Sequence, residues 1–389
     1  MSVASDSDSP DEVSSEDLRD QVWMDRALVL AARGDHRARP NPRVGAVLVA
    51  DASVLAEGFH EQSGGPHAEA ALFALLGDPN QARGATLYLT LEPCGAFAGK
   101  QTPPCVEALL PLGLERIVLA TLDPHAGTAG RSVARLRAAG VVVEVGVRAS
   151  AARRLNGPFF KAQARLAAGL PPLPYLSAKW AMSLDGKIAC HTGHSQWISG
   201  EASRRASHVL RGEVDAVLIG SGTALTDDPR LTRRDVAGGD PLPVVLDRRA
   251  RLPLKSRLVK AARETGLLVV VGRDAPAERR TGLRDAGVEV LEVEGEDSLG
   301  PLLLALGARG CDHVLLEGGG EVLSAAFAGD WVDRALVFVA PRILGGRGAP
   351  GPVAGVGASE VGLGPAPLSL EVRASGEDVL LEAHFRLYP

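Results

Sequence analysis

Two short stretches hold side chains that could do chemistry together. "PHAEAALF" (66–73) sets His67 and Glu69 two apart where an apolar helix should begin, and "LEPCGAFAGKQTPPC" (91–105) adds Cys94 and Cys105. One imidazole and two thiolates are donors that zinc favours, and three protein ligands leave a fourth position for water, as in catalytic rather than structural zinc sites. Each ligand is expected at a helix start: His67 after Pro66, Cys94 after a strand and Pro93, Cys105 after Thr102-Pro103-Pro104. A helix N-terminus favours the thiolate. Glu69 falls close to such a metal without ligating it, where a carboxylate can take a proton from water and hand it to a leaving amine. Two plainer readings compete: two cysteines packed as small core residues, or a closed structural zinc with His60 as the nearest fourth ligand.

The pattern H-x-E followed by P-C and a later Cys marks zinc deaminases, although the usual two residues between the cysteines are here ten. A second group of motifs lies far downstream in "KWAMSLDGKIAC" (179–190), "HSQWISGEASRRASHVLRGEVDAVLIGSGTALTDDPRLTRR" (194–234) and "VLLEGGGEVLSAAF" (314–327). Three glycines between an apolar strand and a helix let backbone N–H groups approach a phosphate. "GSGTALTDDP" after the strand "AVLIG" is a second such turn, and the two together suggest a cofactor with two or more phosphates. Trp197 taken alone reads as a core aromatic. Lys179 and Asp185 are further candidates for which structural roles are equally good.

Those residues need a scaffold. "VWMDRALVLAARG" spaces Trp23, Ala27, Leu30 and Ala31 on one helical face and stops at Gly34. Strand and helix then alternate to about residue 150, which predicts an α/β layer fold with a largely parallel sheet. Residues 151–176 break the rhythm with a helical stretch and the proline cluster "LPPLPYL", and a second α/β alternation follows. The expected organisation is a disordered acidic tail over 1–20, one domain over 21–150, a linker over 151–174 and a second domain over 175–389.

The chain has 389 residues, 46% of them hydrophobic, more than one core usually supports. Its net charge of −5 comes from the first 20 residues, where seven acidic groups face Arg19 alone. The rest is nearly neutral and has no basic stripe, so nucleic acid is not an expected partner. Four cysteines are too sparse for a disulfide scaffold. With no signal-like segment and no long apolar run, a cytoplasmic protein without membrane association is expected.

"NPRVGAVLV", "GFHEQSGGPHAEAAL", "TLEPC" and "TPPC" closely resemble the deaminase half of the bifunctional pyrimidine deaminase/reductases of riboflavin biosynthesis, and the downstream motifs resemble the reductase half. The resemblance implies a cytidine-deaminase-like three-layer domain followed by a dihydrofolate-reductase-like one. It implies Zn2+ on His67, Cys94 and Cys105, a proton shuttle in Glu69, and Asn41, His60 and Lys100 facing a phosphoribosyl pyrimidine. For the reductase half it implies NADPH lined by Ala181, Trp197, Thr223, Asp227, Gly319, Gly320, Glu321, Val322, Leu323, Ser324 and Ala325. Ser195, Arg211, Leu231, Arg234 and Glu317 would hold the substrate, two arginines suiting a phosphate monoester. A homo-oligomer is expected. The family's Cys-Ser-His run is replaced by Cys94-Gly95-Ala96, and its Asp-Pro-Asn-Pro stretch by "DPHAGTAG" (123–130). A paralogue with altered deaminase specificity and a zinc-stabilised binding protein are the alternatives.

Overall fold

A computed structural model describes residues 14–96, 103–234 and 239–389. The chain divides between Leu155 and Asn156 into two compact units.

In the first unit a five-stranded sheet has the order β2-β1-β3-β4-β5, from β1 (Gly45–Ala50), β2 (Ser53–Phe59), β3 (Thr86–Leu89), β4 (Arg116–Leu119) and β5 (Val142–Val145). β3, β4 and β5 run parallel, but β1 is antiparallel to both β2 and β3, so the sheet is mixed rather than largely parallel. One face carries α2 (Ala68–Leu76), α3 (Cys105–Leu109) and α4 (Arg131–Ala138), packed through Leu72, Val106 and Leu136 onto Leu48, Leu87 and Ile117. The other carries α1 (Ser15–Ala31) and α5 (Ala149–Leu155), through Met24, Ala27 and Ala152.

Helix α1 takes in the last six residues of the expected tail. Ser14 and Asp17 form a reciprocal capping box, which satisfies backbone donors at the helix start. Asp20, expected in the tail, is buried and accepts from the Tyr88 hydroxyl at 2.7 Å and from Arg116 Nη1 at 2.8 Å. Those partners lie on β3 and β4, out of reach of any local reading.

The expected linker is helical on both sides of the division: α5 belongs to the first unit and α6 (Gly157–Ala167) to the second. Lys161 on α6 donates to Asp333 at 2.7 Å, with both side chains buried.

The second unit is built on a nine-stranded sheet in the order β10-β9-β8-β7-β11-β6-β12-β14-β13. The strands are β6 (Tyr175–Ser183), β7 (Ala216–Gly220), β8 (Leu242–Leu246), β9 (Leu268–Gly272), β10 (Glu289–Val293), β11 (His313–Glu317), β12 (Arg334–Ala340), β13 (Ser369–Ser375) and β14 (Asp378–His384). From β10 to β12 neighbours are parallel, and β14 and β13 close that edge as an antiparallel hairpin. Helices α7 (Glu201–Gly212), α8 (Ser221–Asp227), α9 (Arg257–Thr265) and α10 (Ala277–Asp285) contribute Leu210, Ala224, Leu258 and Leu283 to one core layer. Helices α11 (Leu299–Ala308) and α12 (Gly320–Ala328) contribute Leu302, Leu306 and Leu323 to the opposite layer. From β7 the chain moves towards β10; from β11 it moves the other way, to β12. Ligands in open α/β sheets bind beyond the strand ends at such a reversal, here between β7 and β11.

Candidate zinc centre and cofactor crevice

In the first unit His67 is the N-cap of α2 and Glu69 its second residue, so both project from one helix opening. Gly58 makes this possible: a Cβ there would lie 2.4 Å from Ala68 O and 2.6 Å from Leu72 N, so only glycine lets α2 sit this close to β2. Cys105 opens α3. Cys94, expected at a helix start, instead lies in the irregular segment after β3.

The ligand atoms of His67, Cys94 and Cys105 lie within 4.8 Å of one another, the one such group among the described residues. The two sulfurs stand 3.5 and 3.3 Å from His67 Nδ1. Glu69 is buried beside them; burial and then the neighbouring Cys94 push its carboxyl above the usual range. Its hydrogen bond to Cys94, then burial and Glu69, push the Cys105 thiol up as well. Two sulfurs and one ring nitrogen converging beside a buried carboxyl are a donor set that suits a divalent, thiolate-binding metal, so the residues fit zinc.

His60 decides between an open and a closed site. Its Nδ1 lies 2.9 Å from the Pro66 carbonyl oxygen and its Nε2 3.2 Å from Asn41 Nδ2, so Nδ1–H donates and Nε2 accepts. Both nitrogens are committed, and His60 is not a fourth ligand. Its ring meets that of His67 edge-on at 5.4 Å.

In the second unit the two glycine turns stand side by side at the ends of β7 and β11. Gly318 and Gly319 have φ of +66° and +81°, which side chains rarely adopt. A Cβ on Gly319 would lie 3.5 Å from Thr223 Oγ1 and 3.6 Å from Gly220 N. The bare backbone thus leaves a cradle between the openings of α8 and α12, which suits a phosphate-bearing cofactor. Directly before Gly318, Glu317 at the end of β11 is gripped bidentately by Arg211 on α7, Nε to Oε1 at 2.6 Å and Nη2 to Oε2 at 2.7 Å. Burial opposes ionisation of Glu317, but the Arg211 charge holds its carboxyl below the usual range.

Comparison with known proteins agrees with both units. Residues 18–121 match the cytidine and deoxycytidylate deaminase zinc-binding region, and residues 174–381 match the RibD C-terminal domain. Riboflavin biosynthesis protein RibD of Aquifex aeolicus is 37% identical, over 93% of this chain and 97% of that protein. The chain belongs to the RibD family. The Escherichia coli member is 35% identical over 84% of this chain and 89% of its own length. Among solved structures, a Thermotoga maritima diaminohydroxyphosphoribosylaminopyrimidine deaminase/5-amino-6-(5-phosphoribosylamino)uracil reductase superposes with a TM-score of 0.76 at 33% identity, covering 95% of this chain and 99% of that one. Acinetobacter baumannii RibD gives 0.72 at 35%, with the same coverage. As a RibD family member the chain is a bifunctional enzyme, a zinc-dependent deaminase joined to an NADPH-dependent reductase. No helix among the described residues is long and apolar enough to cross a membrane.

Within this RibD family scaffold the other expected site residues scatter. Lys100 lies outside the described residues. Trp197 is 65% exposed rather than a core aromatic, with the Arg204 guanidinium 4.8 Å above its ring. The side chains of Leu231 and Leu323 are buried in core layers, so only their backbones can meet a ligand. Ala181, Ser195, Val322 and Ser324 are half-buried, whereas Asp227, Arg234, Glu321 and Ala325 are exposed.

One contributor, Arg251, was not legible. Arg251 donates to Ser221 Oγ at 2.5 Å at the opening of α8. Asp185 accepts from Ser183 Oγ at 2.6 Å and from the Leu344 and Gly345 N–H groups at 3.0 and 2.8 Å. It thereby ties down the loop that reaches Gly320 O through Ala354 N at 3.1 Å. The Gly-rich run 344–351 was the only signal for that loop.

Proposed function

We propose that the first unit hydrolyses the 2-amino group of 2,5-diamino-6-(5-phosphoribosylamino)pyrimidin-4(3H)-one and that the second reduces the deaminated product's ribosyl group to a ribityl chain. The observation that carries the reading is the open three-ligand centre: His67, Cys94 and Cys105 converge, Glu69 is buried against them, and His60 is engaged elsewhere. A zinc ion held there supplies the Lewis acidity that makes water nucleophilic near neutral pH.

Glu69 takes a proton from water and returns it to the leaving amine, so that water and an amino group become a carbonyl and ammonia. Its buried, raised carboxyl suits it to hold that proton between the two transfers. Asn41, oriented by His60, offers an amide to the pyrimidine edge.

In the second unit NADPH supplies the hydride. Gly319 and the start of α12 through Ala325, with Ala181, Trp197, Thr223 and Asp227, hold the cofactor. Ser195, Arg211, the Leu231 backbone, Arg234 and Glu317 hold the phosphoribosyl group. The Arg211 and Glu317 pair opens onto the cradle, so the same groups that satisfy each other can exchange partners with phosphate and ribose hydroxyls.

The protein acts in the cytoplasm as a homo-oligomer. Val356 and Val361, in the loop between β12 and β13, are fully exposed, and Leu370 and Val372 on the edge strand β13 are more than half exposed. A second copy of the chain would cover this apolar surface. Sedimentation at micromolar concentration should give a dimer or larger, with Val361→Asp shifting it towards monomer.

Ammonia release from the diaminopyrimidinone phosphate by zinc-loaded protein tests the deaminase assignment. Glu69→Gln should abolish release while zinc remains bound; zinc-loaded wild-type protein that releases none would leave the specialised paralogue as the better reading.

A further inference from the structure

We propose that Glu92, two residues before Cys94, is the positioning residue that holds this zinc ligand and the wall beside it in place. The proposal rests on the reading of His67, Cys94 and Cys105 as zinc ligands.

Glu92 is buried, and no cation among the described residues is paired with it. Its carboxylate instead accepts four backbone N–H groups: Oε2 from Asp123 at 3.2 Å and Gly130 at 2.8 Å, Oε1 from Ser132 at 3.1 Å and Val133 at 3.3 Å. Two of these donors belong to the first turn of α4, whose unpaired N–H groups and dipole favour an anion. The backbone N–H of Glu92 donates to Thr121 O at 2.9 Å. Glu92 thus ties the segment that leads to Cys94 to Thr121 through its backbone and to Asp123, Gly130, Ser132 and Val133 through its side chain.

The tie continues to the metal ligands. Gly95, next to Cys94, donates to Thr128 Oγ1 at 3.5 Å, and a Cβ there would lie 3.4 Å from Ser132 Oγ and 3.5 Å from Gly127 O. Cys94 in turn receives the Cys105 N–H on its sulfur at 3.4 Å and the Val106 N–H on its carbonyl at 3.3 Å. The order of support is Glu92, then the 121–133 loop, then Cys94 and Gly95, then Cys105.

Glutamine has the same shape but fails chemically. Its amide nitrogen would point at two N–H donors, leaving two buried donors without an acceptor where the carboxylate served all four. A group that fixes a ligand from behind is reported in metal affinity as well as in rate.

The test uses the full chain, with reductase turnover on the deaminated intermediate as an internal control for folding. In Glu92→Gln, zinc affinity measured against a chromophoric chelator should fall about 10- to 100-fold. The kcat for ammonia release should fall over the same range at saturating zinc, and the thiolate-to-metal absorption of the cobalt-substituted protein should change. Reductase kcat should stay within about twofold of wild type. Zinc affinity, cobalt spectrum and deaminase kcat all at wild-type values would overturn the proposal. Should Glu92→Gln leave the first unit unfolded, Glu92→Asp keeps the charge but withdraws it by one methylene, and wild-type zinc affinity there would overturn it equally. A wild-type chain that takes up no zinc would overturn the underlying reading along with it.

Discussion

The Arg211 and Glu317 pair gives the sharpest handle on the reductase crevice. Their side chains are 14% and 12% exposed, and the contact is bidentate at 2.6 and 2.7 Å, with Arg211 Nη1 also donating to Thr232 O at 2.9 Å. In Glu317→Gln the guanidinium faces a neutral amide in a poorly hydrated crevice, and removing one partner of a buried pair costs about 3–5 kcal/mol. At about 1.4 kcal/mol per tenfold, the same loss in transition-state binding corresponds to between about a hundredfold and a few thousandfold in kcat/KM. The assay is NADPH oxidation followed by absorbance with the deaminated intermediate, run beside urea unfolding. Arg211→Met should cost a similar amount. The double variant should recover part of the stability, because no unpaired charge remains, but none of the activity. Acid sensitivity has a defined sign: the Glu317 carboxyl sits below its ordinary range when folded, so the pair's contribution is present above that range and is lost as pH falls through the folded value. Glu317→Gln should flatten this acid limb. Additive stability losses in the double variant, or unchanged turnover in either single one, would refute the coupling.

Three further outcomes are expected. Burial, reinforced by the Glu92 charge, pushes the Asp123 carboxyl up to about 6; its stabilising share is therefore complete below pH about 4 and lost as pH rises through about 6, and Asp123→Asn should remove this step of up to roughly 3 kcal/mol in urea titrations at pH 4.5, 6 and 7.5. Lys161→Met strips Asp333 of its buried ammonium partner at 2.7 Å, and calorimetry should show the second unit melting roughly 6–20 °C lower, with Lys161→Met/Asp333→Asn recovering part of the loss. Asp185→Ala frees the Leu344 and Gly345 N–H groups from their acceptor, and steady-state kinetics should show KM for NADPH rising about tenfold while kcat changes little.

The sequence disclosed the zinc centre because its parts are local. His67 and Glu69 share one helix opening, and Cys105 opens the next helix after Thr102-Pro103-Pro104, so residue types and spacing carry the geometry. What it concealed depends on pairing across the sheet. Strand β2 alternates exposed and buried residues on a sheet edge and lacks the apolar run that marked β1. Strands β13 and β14 follow a long Gly- and Pro-rich loop that masks their start. Arg211 and Glu317 were legible as ligand groups, but 106 residues separate them and nothing local shows that they face each other. Leu231 was placed at the substrate site by resemblance alone; its side chain completes a core layer, which leaves its backbone to face a ligand. The four donors to Glu92 come 31 to 41 residues later in the chain, a pattern without any sequence period.

The central claim is that one chain performs two ordered reactions at two separate centres. The direct measurement is a sequential assay in which zinc-loaded protein receives the diaminopyrimidinone phosphate first and NADPH second, with ammonia and NADPH followed in the same sample. The expected result is one ammonia released per substrate before any NADPH is consumed, then one NADPH oxidised per product, with zinc removal stopping only the first reaction. No ammonia release by the zinc-loaded chain, or NADPH consumption equally fast with substrate that has not been deaminated, would contradict the account.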